Sequence, residues 1–259
     1  MTTLQSYFNK ISQKKYTSLG FVKNKATYIR LTRDVLQAFT LKLSTHAQLC
    51  TVDFGIFPTC LPQPIFLQAG GYSLAHFNVP YSEWSFDTTS EESIMLCVES
   101  VIAAIDLHIL PLFEVCRDCQ SALPELIKLE ELFECNRIQT LYIKGGYDSA
   151  VPLHERSLFD DRKYYMALKG KDFSYIRQYL SHQINFYKEK LKEFDIPNYP
   201  RQPNIVRERF LGNLTEYSTH LSRLNSGEYG YFANMLNSNE RQMSEFLITH
   251  YPKVFINTD

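Results

Sequence analysis

The alternation of hydrophobic and polar residues divides the chain into an early part with the period of strands and a later part with the period of helices. Apolar and polar positions alternate over residues 26–32, 34–44 and 48–57, as expected for half-buried strands. The links between these segments are short, and short links favour antiparallel hairpins. The pattern therefore predicts an antiparallel meander sheet, with room for one more strand within residues 71–79.

Helices are predicted on both sides of these strands. Apolar residues recur at helical spacing over residues 3–18, and Gly20 ends that helix. A capping-box pattern at residues 89–92 opens a second helix, whose apolar stripe includes His108. Pro111 limits or kinks this helix, because proline lacks the N–H group that a helix interior needs.

The rest of the chain has a helical period. Pro124 is predicted in the first turn of one helix, and the pattern from about residue 158 onward is helical, with a short last helix near Met243. Strands first and helices later predict an α+β fold, in which a meander sheet packed by helices precedes a mainly α-helical C-terminal region. The expected boundary separates a sheet domain, residues 1–147, from a helical region, residues 148–259.

Composition and charge exclude several classes of protein. Hydrophobic residues make up 44% of the 259 residues, which is enough for a sizeable core and argues against disorder. The net charge of −1 shows no basic excess, so a nucleic-acid partner is not expected. The N-terminus has no signal-peptide pattern, and the longest apolar stretch, residues 101–113, is too short and too polar to span a bilayer. The sequence thus predicts a cytoplasmic protein with no membrane partner.

No local motif predicts a cofactor, a metal or a catalytic group. Cys116 and Cys119 form a C-x-x-C, but a structural zinc site needs four ligands, and only the single Cys135 follows. Packing is therefore the favoured interpretation of these thiols, as it is for Cys50 and Cys97 on apolar faces. Serine-hydrolase elbows and phosphate-binding glycine loops are absent from the sequence. The acidic pair Glu130-Glu131 is expected on an exposed helix face.

Four segments of the first half carry a family resemblance. They are Leu19-Gly20-Phe21-Val22-Lys23, Tyr28-Ile29-Arg30, Val35-Leu36-Gln37-Ala38-Phe39 and Thr51-Val52-Asp53-Phe54-Gly55-Ile56-Phe57. Together they resemble the bacterial domain-of-unknown-function family numbered 4304, over roughly residues 1–135. The sequence departs from the family pattern at Asp53, where a neutral polar residue is common, and at Ser85, where a second tryptophan is common. The resemblance implies a bacterial α+β protein and carries no known activity.

An aromatic and acidic segment is the candidate binding site. Tyr81, Trp84, Phe86 and Asp87 lie within seven residues, and exposed aromatic residues at a sheet edge often anchor a protein partner. The competing interpretation, that Trp84 merely covers the sheet, is favoured because aromatic residues more often supply core area.

Two main hypotheses of function follow. The leading one is a non-enzymatic protein-interaction module, for instance an immunity or accessory protein that binds another protein. The alternative is an enzyme whose site is dispersed in sequence, with Arg30, Asp53, His76 and Asp87 around the open face of the sheet. A small-ligand or nucleic-acid module is a third possibility, which the charge balance disfavours.

Overall fold

The computed structural model describes residues 3–44, 48–62, 72–74, 84–143, 161–193 and 204–255. In chain order the elements are α1 (Leu4–Ser18), β1 (Val22–Asn24), β2 (Thr27–Leu31), β3 (Val35–Ser44), β4 (Leu49–Pro58), β5 (Tyr72–Ser73), β6 (Trp84–Ser85), α2 (Glu91–Ala104), a π-helical turn (Ile105–Ile109), α3 (Leu110–Val115), α4 (Cys119–Ile143), α5 (Asp161–Gly170), α6 (Phe173–Glu193), α7 (Asn204–Asn225), α8 (Tyr229–His250) and a 3₁₀ turn (Pro252–Phe255).

The predicted α+β fold is confirmed: an antiparallel sheet precedes a helical C-terminal region. The strand order is β1-β2-β3-β4-β5, and β6 also pairs with β4. The central strands β3 and β4 pair along their whole lengths, from Val35 opposite Pro58 to Ser44 opposite Leu49. The three long strands lie within one residue of their predicted bounds at each end, because strict alternation and short turns leave little freedom of register. Of the strand expected within residues 71–79, Tyr72–Ser73 is β5, and Gly71 and residues 75–79 lie outside the described residues.

Pairing across the sheet assigns every side chain to one of two faces. The first face carries Tyr28, Phe39 and Phe54, which stand opposite one another along β2, β3 and β4. It packs against the helices that flank the sheet, since Phe8 of α1 lies 6.1 Å from Tyr28 and Phe113 of α3 lies 6.3 Å from Phe54 between ring centroids. Such aromatic edge contacts add to the burial that holds helices on a sheet.

The second face is buried at one end and polar at the other. Its buried end includes Ile29, Leu36 and Phe57, whereas its polar end carries Lys42 and Asp53, which form an ion pair. The buried end explains why β3 and β4 contain runs of apolar residues instead of a clean alternation, because both faces are covered there.

One helical run, from Glu91 to Val115, crosses the first face of the sheet and joins α2, the π turn and α3. Ser90 is its N-cap, because the Ser90 hydroxyl accepts from the Ser93 N–H, and the Ser93 hydroxyl in turn accepts from the Asp87 N–H. The predicted helix start is therefore one residue later than its Thr89–Glu92 spacing indicated, and the reciprocal bond of a capping box is replaced, because the Ser90 N–H donates to the Asp87 carbonyl at 3.2 Å. Five side chains of the run are fully buried: Val98, Val101, Ile105, Ile109 and Phe113.

The π turn moves His108 out of the buried stripe. A wider turn with i→i+5 hydrogen bonds brings Ile109 to the sheet, and His108 is only half-buried. Pro111 follows directly in the first turn of α3, where it has no N–H to offer the carbonyl of Leu107. The sequence pattern placed His108 on the stripe because it assumed an unbroken α-helical period.

The same run is the one helix among the described residues that is long and apolar enough to cross a membrane by length and composition. It is 25 residues long, about twice the apolar stretch that the sequence singled out. The test is also met by core helices of soluble proteins, and the buried stripe of this helix packs on the sheet.

The later helices pack on the sheet and on one another. Helix α4 begins at Cys119 and contains Pro124 in its interior, so the prediction that Pro124 lies in a first turn was wrong. Helix α8 has 22 residues and is much longer than the short helix predicted near Met243. The Asn239 amide of α8 donates to the Cys60 carbonyl beyond β4 at 3.0 Å. The boundary expected between residues 147 and 148 lies outside the described residues.

We predict that Gly55→Ala destabilises the protein by about 2 kcal/mol, because its methyl group would overlap the buried Phe57 ring on the same face of β4. The matched control is Gly212→Ala in α7, where a methyl group meets nothing within 4 Å. That change should stabilise the helix by up to about 1 kcal/mol. Urea denaturation of both variants measures the difference, and equal effects would contradict the packing of Phe57 over Gly55.

Candidate functional site

Trp84 and Phe86 cover the sheet, as the favoured interpretation held. Trp84 lies in β6 opposite Cys50 of β4 and exposes only 7% of its surface. Phe86 is buried to a similar extent, and its N–H donates to the Gln48 carbonyl at 3.0 Å. These two rings are therefore not free anchors for a partner.

The other two residues of the aromatic segment lie differently. Asp87 is exposed, and its carboxylate accepts from the side-chain hydroxyl and the backbone N–H of Thr89, at 2.7 and 2.8 Å. These hydrogen bonds lower the pKa of Asp87. The carboxylate thus orders the turn that leads into α2. Tyr81 lies outside the described residues.

The structure does not bring Arg30 and Asp53 together. Arg30 stands opposite Gln37, and Asp53 stands opposite Thr40, three residues farther along β3. Because side chains alternate between faces along a strand, Arg30 lies on the first face and Asp53 on the second. His76, the third residue of the predicted dispersed site, lies outside the described residues.

Arg30 belongs to a polar network that joins the sheet to two helix ends. Its guanidinium donates to the Gln37 side-chain oxygen at 2.9 Å, to the Leu19 carbonyl at 3.0 Å and to the Glu114 carboxylate at 2.9 Å. The buried Gln37 amide donates in turn to the carbonyls of Phe113 and Cys116, at 2.6 and 2.8 Å. This satisfies carbonyls that the end of α3 would otherwise leave without donors. Arg30 therefore has a structural role.

A groove lies between β6 and the first half of α2. We call it the Trp84 groove; its volume is about 510 Å³. Its described lining residues supply an indole, hydroxyl groups, one carboxylate and one thiol, without a histidine, lysine or arginine. They are Trp84, Ser85, Ser90, Glu92, Ser93, Leu96, Cys97 and Ser100. Such a set holds a side chain or a small polar ligand more readily than it performs acid–base chemistry, which needs a paired acid and base.

The outward side of the same helical run carries exposed apolar side chains. Leu96 exposes 54% of its surface, Leu107 69% and Val115 54%. With the exposed Ala103 they are spaced seven, four and eight residues apart, which keeps them on one side of the helix. We call these four residues the outward stripe. Leu96 belongs both to this stripe and to the Trp84 groove, so the two features are continuous.

A buried charge cluster lies where α4 and α5 meet β5, and the sequence did not predict it. Lys163 of α5 is fully buried and forms an ion pair with Glu130 of α4, which also accepts from the Tyr72 hydroxyl at 2.8 Å. The Arg162 guanidinium lies 4.9 Å from the Tyr72 ring centroid. Both Glu130 and Glu131 were expected on an exposed face; Glu131 is exposed, whereas the expectation for Glu130 was wrong. The cluster fastens α4 and α5 to β5.

A second unpredicted cluster lies among the later helices. The His220 ring nitrogens are hydrogen-bonded to the hydroxyls of Tyr164 at 2.9 Å and Tyr231 at 3.2 Å. The Tyr164 ring stacks on Tyr179 with centroids 4.6 Å apart. Burial, and secondarily the charge of Arg223, lower the pKa of His220. Two tyrosine hydroxyls from different helices thus meet at one buried histidine.

The two cysteines of the C-x-x-C lie in the core. Cys116 and Cys119 are buried, and the Cys119 thiol contacts the Asp34 carbonyl at 3.6 Å. The Cys119 N–H donates to the Asp34 carboxylate at 2.8 Å. Among the described residues, no three histidine, cysteine, aspartate or glutamate side chains are grouped so that they could hold a metal ion.

Comparison with protein-family models, with curated proteins and with solved structures finds no match to this chain. The resemblance to the 4304 family therefore stays a prediction that rests on the strand motifs.

We predict that Trp84→Ala lowers the free energy of unfolding by about 3–5 kcal/mol, because it removes a large buried side chain and leaves a cavity. Ser85→Ala, at the exposed next position of β6, should change it by less than about 0.5 kcal/mol. Chemical denaturation checks both values. A stable Trp84→Ala variant would contradict the burial of this ring.

We also predict that stability falls as the pH drops below about 6.5, with a contribution from His220. The folded protein holds His220 neutral, whereas the unfolded chain takes up a proton near the ordinary histidine pKa. Protonation therefore favours unfolding as the pH falls. Denaturation at pH 7.5 and 5.5 should show a smaller loss in His220→Gln than in the wild type. Equal losses would mean that His220 does not couple protonation to folding.

Proposed function

We propose that this protein is a soluble, cytoplasmic, non-enzymatic interaction module that binds another protein through the outward stripe and the Trp84 groove. The observation that carries the proposal is the exposure of Leu96, Leu107 and Val115 along a helix whose opposite side is the core of the fold. An immunity or accessory protein acts by holding a partner, and a surface of this kind suffices for such a role.

The energetic gain from covering the stripe would come from apolar burial. Fully burying an exposed leucine contributes about 1.5–3 kcal/mol. Leu96 and Leu107 expose 54% and 69% of their surface and lie about three helical turns apart on this surface. The Trp84 groove at one end can receive a side chain of the partner, which would fix the register of docking. A few such anchors often carry most of the affinity of an interface.

Charge indicates the chemistry of the partner. No lysine or arginine occurs between Glu91 and Val115, and Glu91, Glu92 and Glu99 are exposed beside the outward stripe. The complementary surface therefore presents apolar side chains flanked by lysine or arginine. Charge complementarity of this kind mainly raises the association rate and selects among partners, and salt weakens it.

The enzyme alternative receives no support from the arrangement of its residues. A dispersed site needs Arg30 and Asp53 in one cleft, and they lie on opposite faces of the sheet. Arg30 is engaged by Gln37 and Glu114, and Asp53 forms an ion pair with Lys42.

The test is an unbiased pull-down with the full chain, compared between wild type, Leu107→Glu and a matched control, Ile205→Glu. Both replaced side chains are highly exposed, at 69% and 72%, and lie in helices, so neither change should shift stability by more than about 0.5 kcal/mol. We expect Leu107→Glu to lose at least one partner that wild type and Ile205→Glu both retain. Adding Leu96→Glu should deepen that loss.

The proposal fails if Leu107→Glu captures the same proteins as wild type, or if Ile205→Glu loses the same partner. Thermal denaturation of each variant ensures that a loss of binding is compared between equally folded proteins. A partner that associates more slowly as the salt concentration rises supports the proposal that lysine or arginine flanks its apolar side chains.

A further inference from the structure

Two buried thiols touch where β4 meets α2. The sulfur atoms of Cys50 and Cys97 are 3.4 Å apart, although the residues are 47 positions apart in sequence. A disulfide needs the two sulfur atoms only about 1.4 Å closer than this. The contact is thus within reach of a covalent bond with a small local movement.

The pair lies at the edge of the Trp84 groove. Cys50 is on the first face of the sheet, directly opposite Trp84, and is fully buried. Cys97 is 5% exposed and lines the groove. A small oxidant that enters the groove therefore meets the Cys97 sulfur first, and Cys50 stands behind it as the second thiol.

We propose that Cys50 and Cys97 are a reversible dithiol–disulfide pair that a small peroxide, such as hydrogen peroxide, oxidises through the Trp84 groove. This site does not depend on the protein-binding role proposed above. When oxidised, it ties β4 covalently to α2 beside Trp84. Because β6 pairs with β4 at this position, the disulfide also restricts the separation of β6 and α2, the two walls of the groove.

The chemistry needs one peroxide per pair. The Cys97 thiolate attacks a peroxide oxygen, the O–O bond breaks, and Cys97 becomes a sulfenic acid while hydroxide leaves and takes up a proton as water. The Cys50 sulfur then attacks the Cys97 sulfur, the S–O bond breaks, and water leaves with the Cys50 proton. The two thiols lose two electrons and two protons, and the peroxide is reduced to two waters.

The immediate surroundings favour Cys97 as the attacking thiol. Cys97 is the thiol that lines the groove, and its hydrogen bond with Cys50 lowers the pKa of Cys97 against the effect of burial. The same contact, together with burial, raises the pKa of Cys50. Cys60 and Cys119, which also contact each other in the core, are a useful comparison, because they are 0% and 1% exposed and neither lines the Trp84 groove. We therefore expect the first pair to react before the second.

The test is peptide mapping of the reduced full chain after one molar equivalent of hydrogen peroxide, with alkylation of the remaining thiols under denaturing conditions. Trypsin cannot separate the two cysteines, because no lysine or arginine lies between Lys42 and Arg117. Cleavage at Glu83, Glu91 and Glu92 by glutamyl endopeptidase separates them, and additional cleavage at Asp53 by an aspartate-specific protease separates Cys50 from Cys60. We expect a linked pair of fragments that carries Cys50 and Cys97 and that dithiothreitol separates. The oxidised protein should melt about 5 °C higher.

Cys97→Ser should abolish this link, and Cys119→Ser should leave it intact. If either variant fails to fold, the peptide map of the wild-type protein alone shows which cysteines are linked. The proposal is overturned if Cys60 and Cys119 are linked first, if Cys97 accumulates as a sulfinic acid while Cys50 stays alkylatable, or if no thiol reacts before the chain unfolds.

Discussion

The packing of the helical run Glu91–Val115 on the first face of the sheet is the contact on which the rest of the structure depends. Val98, Val101, Ile105 and Ile109 are fully buried there, and the π turn keeps the buried positions in phase across the sheet. Gln37 fixes the end of the run by donating to the carbonyls of Phe113, in its last turn, and of Cys116, directly after it. Because one side of the helix is buried in the core, the side chains on its other side are exposed to solvent.

Every candidate functional feature depends on how this helical run packs on the sheet. The outward stripe is the solvent side of the helix, the Trp84 groove is the gap between its first half and β6, and Cys97 points from it toward Cys50. The same few turns thus place an apolar surface, a cavity and a thiol pair within one stretch of chain. By contrast, Arg30 and the Glu130–Lys163 pair are used to join elements to one another.

The sheet could be predicted from sequence because alternation and short turns are local features, and they gave the bounds of β2, β3 and β4 to within one residue. Features that depend on contacts between distant residues could not be predicted in this way. Arg30 and Asp53 lie on opposite faces because of the register in which their strands pair, which their spacing in sequence does not give. The π turn moves His108 out of the buried stripe through i→i+5 hydrogen bonds, which the residue pattern did not predict. Trp84 was recognised as notable, but its burial depends on β6 pairing with β4, far away in sequence. The burial of Lys163 likewise requires its partner Glu130, 33 residues earlier.

The most direct test of the account is hydroxyl-radical footprinting of the full chain, alone and bound to a partner that it captures. Free protein should be labelled at Leu96, Leu107 and Val115 and hardly at Val101 or Ile105. The bound form should be protected at the first three while labelling of Ile205 stays unchanged. Labelling of Val101 in the folded free protein, or protection that omits the outward stripe, would contradict the account.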